Sequence, residues 1–345
     1  MAAALLQWYV VHGRELPWRG TGDPYAIWLS EVILQQTRIE QGRPYWERFM
    51  ARYPTVGDLA AATEDEVLRL WQGLGYYSRG RNLLAAARQV TAMGGFPRTV
   101  KELKTLKGVG DYTAAAIASM AFGEPAAVVD GNVYRVLARY HGIDTPINTQ
   151  QGKRLFTALA QELLPPDHAA AFNQAMMDFG AIWCMPRKPR CGECPLSQSC
   201  VAFQQATVDA LPVKLKTVSV KTRRFHYVYV RCGRYTALRR RPAGDIWQGL
   251  WEPLLVEGDD TALQRAIAHI AGTLTRLRSG VKHVLTHRII VADLYLLECD
   301  ERPQLPEGYQ WIAEAERDHY AVPRLVEQLF QRCEMQDARC EKQDG

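Results

Sequence analysis

The chain has 345 residues, 47% of them hydrophobic and 23% charged, a composition typical of globular proteins that excludes a disordered or fibrous chain. This length favours two domains, and a formal net charge of +5 argues neither for nor against a nucleic-acid partner. No apolar run approaches the roughly 18 residues that a membrane-spanning helix needs, and the N-terminus has no basic segment before its apolar stretch. We therefore expect a cytosolic chain with no membrane contact.

Apolar residues at helical spacing predict an all-α domain over residues 1–205. Breaks that contain glycine or proline separate the helical segments. The predicted helices cover residues 24–41, 64–74, 82–93, 111–122 and 132–141.

The character of the chain changes after a predicted linker at residues 206–216. Aromatic and β-branched runs at 225–230 and 286–297 predict strands, and helical spacing returns at 261–273 and 322–331. We therefore predict a smaller α+β domain over residues 217–330 and a frayed tail over 331–345.

Four cysteines form the pattern Cys184-x6-Cys191-x2-Cys194-x5-Cys200. In a cytosolic protein such a group is more often a metal site than a set of disulfides. Structural zinc sites usually contain two short Cys-x2-Cys pairs, and this loop contains one. Unequal spacing within a single loop suits an iron–sulfur cubane, so we predict a [4Fe-4S] cluster. The alternatives are a zinc ion, and free thiols or disulfides.

A Gly-x-Gly turn at Gly108 and Gly110 joins two predicted helical segments, and Lys104 and Lys107 flank it. Glycines allow close approach of the backbone to another molecule, and the helix that follows offers unpaired N–H groups. This turn is therefore predicted to bind a DNA phosphate. The alternative is an ordinary helical hairpin.

Several motifs together carry a resemblance to a known family. The Leu-x-x-Leu-x-Gly-Val-Gly-x-x-Thr-Ala hairpin at 103–114, the segment Val-Val-Asp-Gly-Asn-Val at 128–133 and the four-cysteine loop resemble the helix–hairpin–helix superfamily of DNA glycosylases. The segments at 16–19, 30–37 and 73–79 are similar to MutY-type adenine DNA glycosylases in particular. The resemblance implies an all-α helix–hairpin–helix glycosylase domain with an iron–sulfur loop, followed by an α+β Nudix-like domain. It also implies a bacterial-type, nucleoid-associated monomer that acts on duplex DNA containing adenine opposite 8-oxoguanine or guanine.

Two carboxylates are candidates for the chemistry of that family. Hydrolysis of an N-glycosidic bond needs a proton for the leaving base and negative charge beside the cationic sugar. Glu31 lies in an apolar segment, where burial would raise its pKa and keep it protonated near neutral pH. Asp130 precedes a predicted helix, whose N-terminus favours the ionised form. The resemblance implies that Glu31 protonates adenine at N7 and later activates water, while Asp130 stabilises or transiently captures the sugar carbon.

The resemblance assigns supporting roles to further residues. Tyr112 and Asn132 are the expected hydrogen-bond partners of the carboxylates. Bifunctional relatives carry a lysine at the position of Tyr112, and a phenol cannot replace that amine nucleophile, so the chain is predicted to leave an abasic site without cutting the strand. The predicted DNA- and base-binding residues include two wedges (Gln36 and Tyr76) and two contacts to the adenine edge (Arg19 and Gln174). The full set is Arg19, Gln36, Thr37, Tyr76, Arg79, Gly108, Gly110, Gln174, Thr286 and His287.

The second domain is predicted to recognise the lesion. A catalytic Nudix helix needs clustered glutamates to hold magnesium, and residues 258–272 contain none. The turn Leu285-Thr286-His287 lies where the family has a Phe-Ser-His loop that reads 8-oxoguanine. The rival functions are a thymine-glycol or mismatch-thymine glycosylase of the same fold, and a non-catalytic lesion-binding protein.

Overall fold

The computed structural model describes residues 1–216 and 220–340 and divides them into two units. The helical unit contains residues 1–61 and 82–216, and the sheet unit contains residues 62–81 and 220–340. The architecture confirms the predicted order of an all-α domain followed by an α+β domain. Residues 62–81 belong to the sheet unit although they precede most of the helical domain in the chain, and the sequence does not predict this.

Helices account for most of the first 216 residues. In chain order they are α1 (Ala2–His12), α2 (Pro24–Leu34), α3 (Ile39–Arg52), α4 (Val56–Ala61), α5 (Glu64–Trp71), α6 (Ser78–Ala92), α7 (Val100–Leu103), α8 (Asp111–Phe122), α9 (Gly131–His141), α10 (Gln150–Leu163), α11 (Ala169–Ile182) and α12 (Val201–Gln204).

Helix α2 is buried on every side because it packs between α3 and α8. The Asp23 carboxylate caps its N-terminus by accepting from the Tyr25 amide at 2.9 Å, and Pro24 occupies the first turn, where its missing N–H costs nothing. The prediction of a single helix over residues 24–41 is wrong, since Gln36 adopts a left-handed φ of 56° and a second helix begins at Ile39. A left-handed residue cannot continue a right-handed helix.

From Lys221 onward the sheet unit contains strands and two α-helices. In chain order these elements are β1 (Lys221–Cys232), β2 (Tyr235–Arg240), β3 (Trp251–Glu252), β4 (Leu254–Glu257), α13 (Asp260–Ile267), β5 (Thr273–Val284), β6 (Arg288–Glu298), β7 (Tyr309–Ala313) and α14 (Arg324–Cys340). The seven strands of the described residues form one mixed sheet with the order β3-β2-β1-β6-β5, in which β4 also pairs with β1 and β7 with β2. Strands β1 and β6 run parallel, and the other pairs are antiparallel.

Each face of the sheet carries its own apolar cluster because alternate side chains of β1 and β6 point to opposite faces. One cluster includes Phe225, Tyr227 and residues of α14, and the other includes Val228, Val230 and Leu263 of α13. Residues 62–81 join this unit through hydrogen bonds from the Val322 amide to Gln72 Oε1 at 3.1 Å and from Trp251 Nε1 to Asp65 at 3.2 Å.

Three predicted boundaries differ from the structure. The helix predicted over 261–273 ends at Ile267, because residues from Thr273 onward pair with β6 as strand β5. The predicted frayed tail is wrong for residues 331–340, which extend α14 and bury Cys333 against the sheet, while 341–345 lie outside the described residues. The predicted linker at 206–216 belongs to the helical unit, with Leu211 buried in its core; the next residues, 217–219, are also outside the described part. No helix of the described chain is long and apolar enough to cross a membrane.

Candidate active site

Glu31 lies near the C-terminal end of α2 and is only 8% exposed. Burial raises the pKa of Glu31 to about 7; proximity to Asp130 acts in the same direction, while a hydrogen bond with Tyr112 and the charge of Arg19 oppose it. A carboxyl group with this pKa exists in both protonation states at neutral pH, which suits a group that first donates a proton and later accepts one.

Asp130 is the N-cap of α9, as its position before that helix predicts. Its Oδ1 accepts from the Asn132 and Val133 amides, both at 2.8 Å, and its Oδ2 accepts from Asn132 Nδ2 at 2.7 Å. Burial raises the pKa of Asp130 above its ordinary value, and these hydrogen bonds oppose the shift. The sequence argument considered only the helix N-terminus and therefore missed the effect of burial.

Both carboxylates open onto one cleft of about 700 Å³ in the helical unit. Helices α2, α8, α9 and α11 and the segment before α2 all contribute to its walls. The predicted residues that line it are Arg19, Glu31, Thr37, Tyr112, Asp130, Asn132 and Gln174. The structure therefore brings the four predicted catalytic residues together with both predicted adenine contacts.

Asp178, which the sequence argument did not select, organises one wall of this cleft. Its side chain is fully buried on α11 and accepts from Arg14 Nε at 2.9 Å and from Arg19 Nη1 and Nη2 at 2.7 and 2.8 Å. Burial alone would raise the pKa of Asp178, but the hydrogen bonds from Arg19 and Arg14 hold it below its ordinary value. The sequence signal that could have found it is the one that selected Glu31, a single carboxylate inside an apolar helix.

The predicted phosphate-binding turn lines a neighbouring cleft together with Gln36. Gly108 has a left-handed φ of 77°, and a Cβ at this position would lie 2.8 Å from the Cβ of Asn82, so a larger residue would be strained and crowded. Gly110 is the N-cap of α8, and a Cβ there would meet no atom within 4 Å. The turn therefore presents open backbone and a helix N-terminus, the arrangement that binds anions.

A buried arginine joins Asp130, one of the two candidate catalytic carboxylates, to the cysteine loop. Arg135 of α9 donates from Nη2 to Asn132 Oδ1 and from Nε to the Cys184 carbonyl, each at 2.8 Å. It also donates to the Gly180 carbonyl of α11. Asn132 in turn donates to Asp130, so the position of Asp130 depends on the backbone of the loop.

The four loop cysteines line one cavity with apolar side chains that include Val136, Phe179 and Leu196. All four cysteines therefore border one space, as the ligands of a single metal centre must. Their unequal spacing within one loop favours a cubane over a zinc ion.

The side chain of Arg139 braces the same loop. Its guanidinium donates to the Met185 and Val208 carbonyls at 2.8 and 2.9 Å and lies 3.5 Å from the Cys184 sulfur. The guanidinium therefore ties the cysteine loop to α9.

The predicted lesion-reading residues belong to the sheet unit. Tyr76 is 48% exposed and adopts a left-handed φ of 48°, which is strained for a bulky residue and is characteristic of functional sites. Its hydroxyl lies 2.8 Å from Thr286 Oγ1. Thr286 and His287 are exposed in the turn between β5 and β6, and the Leu285 side chain packs against the core beneath them. The structure therefore joins one predicted wedge to the predicted recognition turn.

Arg79, predicted to contact DNA, is 8% exposed instead. Its guanidinium lies 5.2 Å from the Trp71 ring centroid and 5.5 Å from that of Tyr76, and Nη2 donates to the Gly75 carbonyl at 3.2 Å. Burial lowers the pKa of Arg79 to about 10. These contacts indicate that Arg79 supports the loop that contains Tyr76 and are not those expected of a residue that binds a phosphate.

Comparison with known proteins gives matches over both units. A model of the HhH-GPD superfamily of base excision DNA repair proteins matches residues 29–166, the iron-sulfur binding domain of endonuclease III matches 184–200, and a NUDIX domain matches 226–332. The iron–sulfur match confirms the predicted [4Fe-4S] cofactor.

Three relatives with similar sequences are named adenine DNA glycosylase. The Mus musculus protein is 33% identical over 94% of this chain and 76% of its own length. The protein of Buchnera aphidicola subsp. Schizaphis graminum is 32% identical over 72% of each chain. The Arabidopsis thaliana protein is 37% identical over 76% of this chain, which spans 48% of that longer relative.

Two solved structures resemble the helical part of the chain. A thermostable thymine-DNA glycosylase has a TM-score of 0.55 and 33% identity, over 59% of this chain and 95% of that chain. An endonuclease III–DNA covalent intermediate has a TM-score of 0.52 and 22% identity, over 59% and 94%, and at that identity it supports the fold alone.

Proposed function

Because the chain belongs to the adenine DNA glycosylase family of base excision repair, we propose that it hydrolyses the N-glycosidic bond of adenine paired with 8-oxoguanine or guanine in duplex DNA. We further propose that it acts as a monomer and leaves an abasic site. The observation that carries the proposal is the pair Glu31 and Asp130 on one cleft, with the pKa of Glu31 raised to about 7.

Glu31 acts first as the general acid. Its proton passes to N7 of the flipped adenine, and the electron pair of the bond between the sugar carbon and the base leaves with the base. Tyr112 lines the same cleft as Glu31, with its hydroxyl donating to Met177 Sδ at 3.5 Å, and it has no amine with which to attack the sugar. Cleavage of the DNA strand is therefore not expected.

Asp130 stabilises the oxocarbenium-like sugar that remains. Asn132 and the first amides of α9 fix its carboxylate, so its charge is in place before the bond breaks. Glu31, now ionised, accepts a proton from the attacking water, and the water oxygen bonds to the sugar carbon.

Cys184, Cys191, Cys194 and Cys200 would hold the [4Fe-4S] cluster, since all four line one cavity. When bound, the cluster supplies iron–thiolate bonds that cross-link the loop. Arg135 and Arg139 then tie this loop to α9.

Tyr76, Thr286 and His287 are proposed to read the base opposite the adenine. The hydrogen-bonded pair of Tyr76 and Thr286 presents a ring for stacking beside a polar group, and both are exposed. Helix α13, the counterpart of the predicted Nudix helix, contains no glutamate, which favours recognition over pyrophosphate hydrolysis.

A thymine glycosylase of the same fold is the second candidate, because a thymine-DNA glycosylase resembles the helical part of the chain. That similarity covers 59% of the chain, whereas the similarity to the mouse adenine DNA glycosylase covers 94%. The wider coverage favours adenine.

Single-turnover assays on matched duplexes test the proposal. The purified chain is expected to convert adenine:8-oxoguanine and adenine:guanine duplexes to products that break only after alkali treatment. Thymine:guanine and thymine-glycol duplexes are expected to stay intact. Release of thymine, strand breaks before alkali, or binding without any product would each contradict the proposal.

A further inference from the structure

A chain of hydrogen bonds runs from the buried Asp178 to Gln174 at the wall of the cleft. Arg19 donates twice to Asp178 and, over a longer 3.4 Å, to the Tyr9 hydroxyl of α1. The Tyr9 hydroxyl donates to Gln174 Oε1 at 2.6 Å. Arg19 and Gln174 line the catalytic cleft, and Tyr9 lies behind them.

The direction of this chain follows from the chemistry of its members. A guanidinium has only donors, so the Tyr9 hydroxyl accepts from Arg19 and must direct its own proton elsewhere. Burial raises the pKa of Tyr9, although the charge of Arg19 opposes the shift, so the hydroxyl keeps its proton at neutral pH. The remaining partner, Gln174, must therefore turn its oxygen towards Tyr9.

We propose that Tyr9 is a positioning residue that fixes the amide of Gln174 with its NH2 group towards the base, so that this corner of the cleft offers a donor and no acceptor. The proposal rests on the adenine specificity proposed above. It concerns how the cleft selects its base, and Tyr9 itself touches no reacting atom.

This orientation favours adenine for a simple reason. The free ring nitrogens of adenine (N1, N3 and N7) are all acceptors, whereas hypoxanthine and guanine carry an N1–H donor. A fixed donor that faces N1 binds adenine there and meets the N1–H donor of hypoxanthine or guanine. At the 6-position the preference would reverse, because adenine has an amino group there and the other two bases have a carbonyl. The proposal therefore places the Gln174 NH2 group at N1 of the flipped adenine. Sites built in this way reject the mismatched base because buried polar groups are left unpaired.

Comparison of adenine with hypoxanthine, each opposite 8-oxoguanine, tests the proposal. In the Tyr9→Phe variant the amide can rotate and present its oxygen. The ratio of adenine to hypoxanthine release rates is then expected to fall about tenfold, the effect of one misdirected hydrogen bond. The control is Tyr25→Phe, which removes a buried hydroxyl that donates to the Tyr53 carbonyl at 2.8 Å and does not line the cleft; it is expected to leave the ratio unchanged.

A double-mutant cycle separates positioning from loss of structure. In a Gln174→Leu background, Tyr9→Phe is expected to leave the ratio where Gln174→Leu puts it, because no amide remains to rotate. If Tyr9→Phe lowers both rates by one factor, or changes the ratio equally in both backgrounds, the positioning role is wrong. If the unaltered chain releases no adenine, the proposed function fails and this inference fails with it.

Discussion

Arg135 connects Asn132 to Cys184: one guanidinium donates to the amide oxygen of the first and to the backbone carbonyl of the second, both at 2.8 Å. Asn132 uses its other end to hold Asp130 at 2.7 Å. The iron–sulfur loop and the Asp130 carboxylate, proposed to stabilise the sugar, are therefore consecutive parts of one buried hydrogen-bond network. In such a network, loss of one member leaves the others unsatisfied.

Replacement of Arg135 by lysine tests this connection. An ammonium group cannot reproduce the planar fork, so the Asn132 contact or the Cys184 contact is lost. We expect adenine release to slow by roughly 10- to 100-fold, since a hydrogen bond to a charged group contributes about 1.5–3 kcal/mol. The control is Arg139→Lys, because Arg139 braces the loop through Met185 and Val208. That variant is expected to lose iron more readily with a smaller loss of rate per iron-loaded molecule. Equal losses of rate in the two iron-loaded variants would contradict the connection.

Glu31→Gln tests the general acid. The amide cannot supply a proton, so adenine release is expected to fall below detection in single-turnover assays, while affinity for the duplex stays nearly unchanged. Glu47→Gln is the matched control, because Glu47 is an exposed residue of α3 paired with Arg43. Appreciable adenine release by the Glu31→Gln variant would show that Glu31 is not the general acid.

Glu31→Gln is also expected to change how the free energy of unfolding depends on pH. The pKa of Glu31 rises from 4.5 in the unfolded chain to about 7 in the folded one, so ionisation opposes folding as pH increases. The resulting loss of stability begins near pH 4.5, grows up to pH 7 and is then constant. The amide of the Glu31→Gln variant cannot ionise, so relative to wild type this variant is expected to gain about 2–3 kcal/mol in free energy of unfolding between about pH 5 and pH 8. Denaturant titrations at the two pH values measure this gain. A difference between variant and wild type that does not change with pH would show that Glu31 titrates as an ordinary exposed carboxylate.

Thr286 and His287 are predicted to select the lesion without affecting the chemistry. Replacement of both by alanine removes the two neutral hydrogen bonds that we propose they make to 8-oxoguanine, worth roughly 1–3 kcal/mol together. The preference for adenine:8-oxoguanine over adenine:guanine is then expected to fall about five- to hundredfold. The rate on bound substrate is expected to change much less, because Glu31 and Asp130 belong to the other unit.

Tyr76→Phe extends that experiment to the wedge. The variant keeps the aromatic ring that we propose stacks beside the lesion base. It loses only the hydroxyl that lies 2.8 Å from Thr286 Oγ1. The preference for the lesion pair is expected to fall by a smaller factor than in the double alanine variant, with the salt dependence of binding unchanged because no phosphate contact is removed. An unchanged preference in both variants would show that the Leu285–His287 turn is a purely structural connection.

The sequence by itself determined the features that are encoded locally. Hydrophobic spacing separated the helical domain from the strand-rich one, and the Cys184–Cys200 pattern identified the metal loop. Short motifs selected Glu31, Asp130 and Tyr112, which the fold brings to one cleft. These signals depend on residues near one another in the chain, where the periods of helices and strands can be read directly.

Only the tertiary structure decided the contacts between distant segments. Tyr9 meets Gln174, Arg19 meets Asp178, and Tyr76 meets Thr286, and each pair is far apart in the chain. Burial of Arg79 and the raised pKa of Asp130 likewise depend on what packs around those residues. Which distant segments pack around a side chain, and which atoms it meets there, are properties of the fold that local spacing in the sequence does not predict.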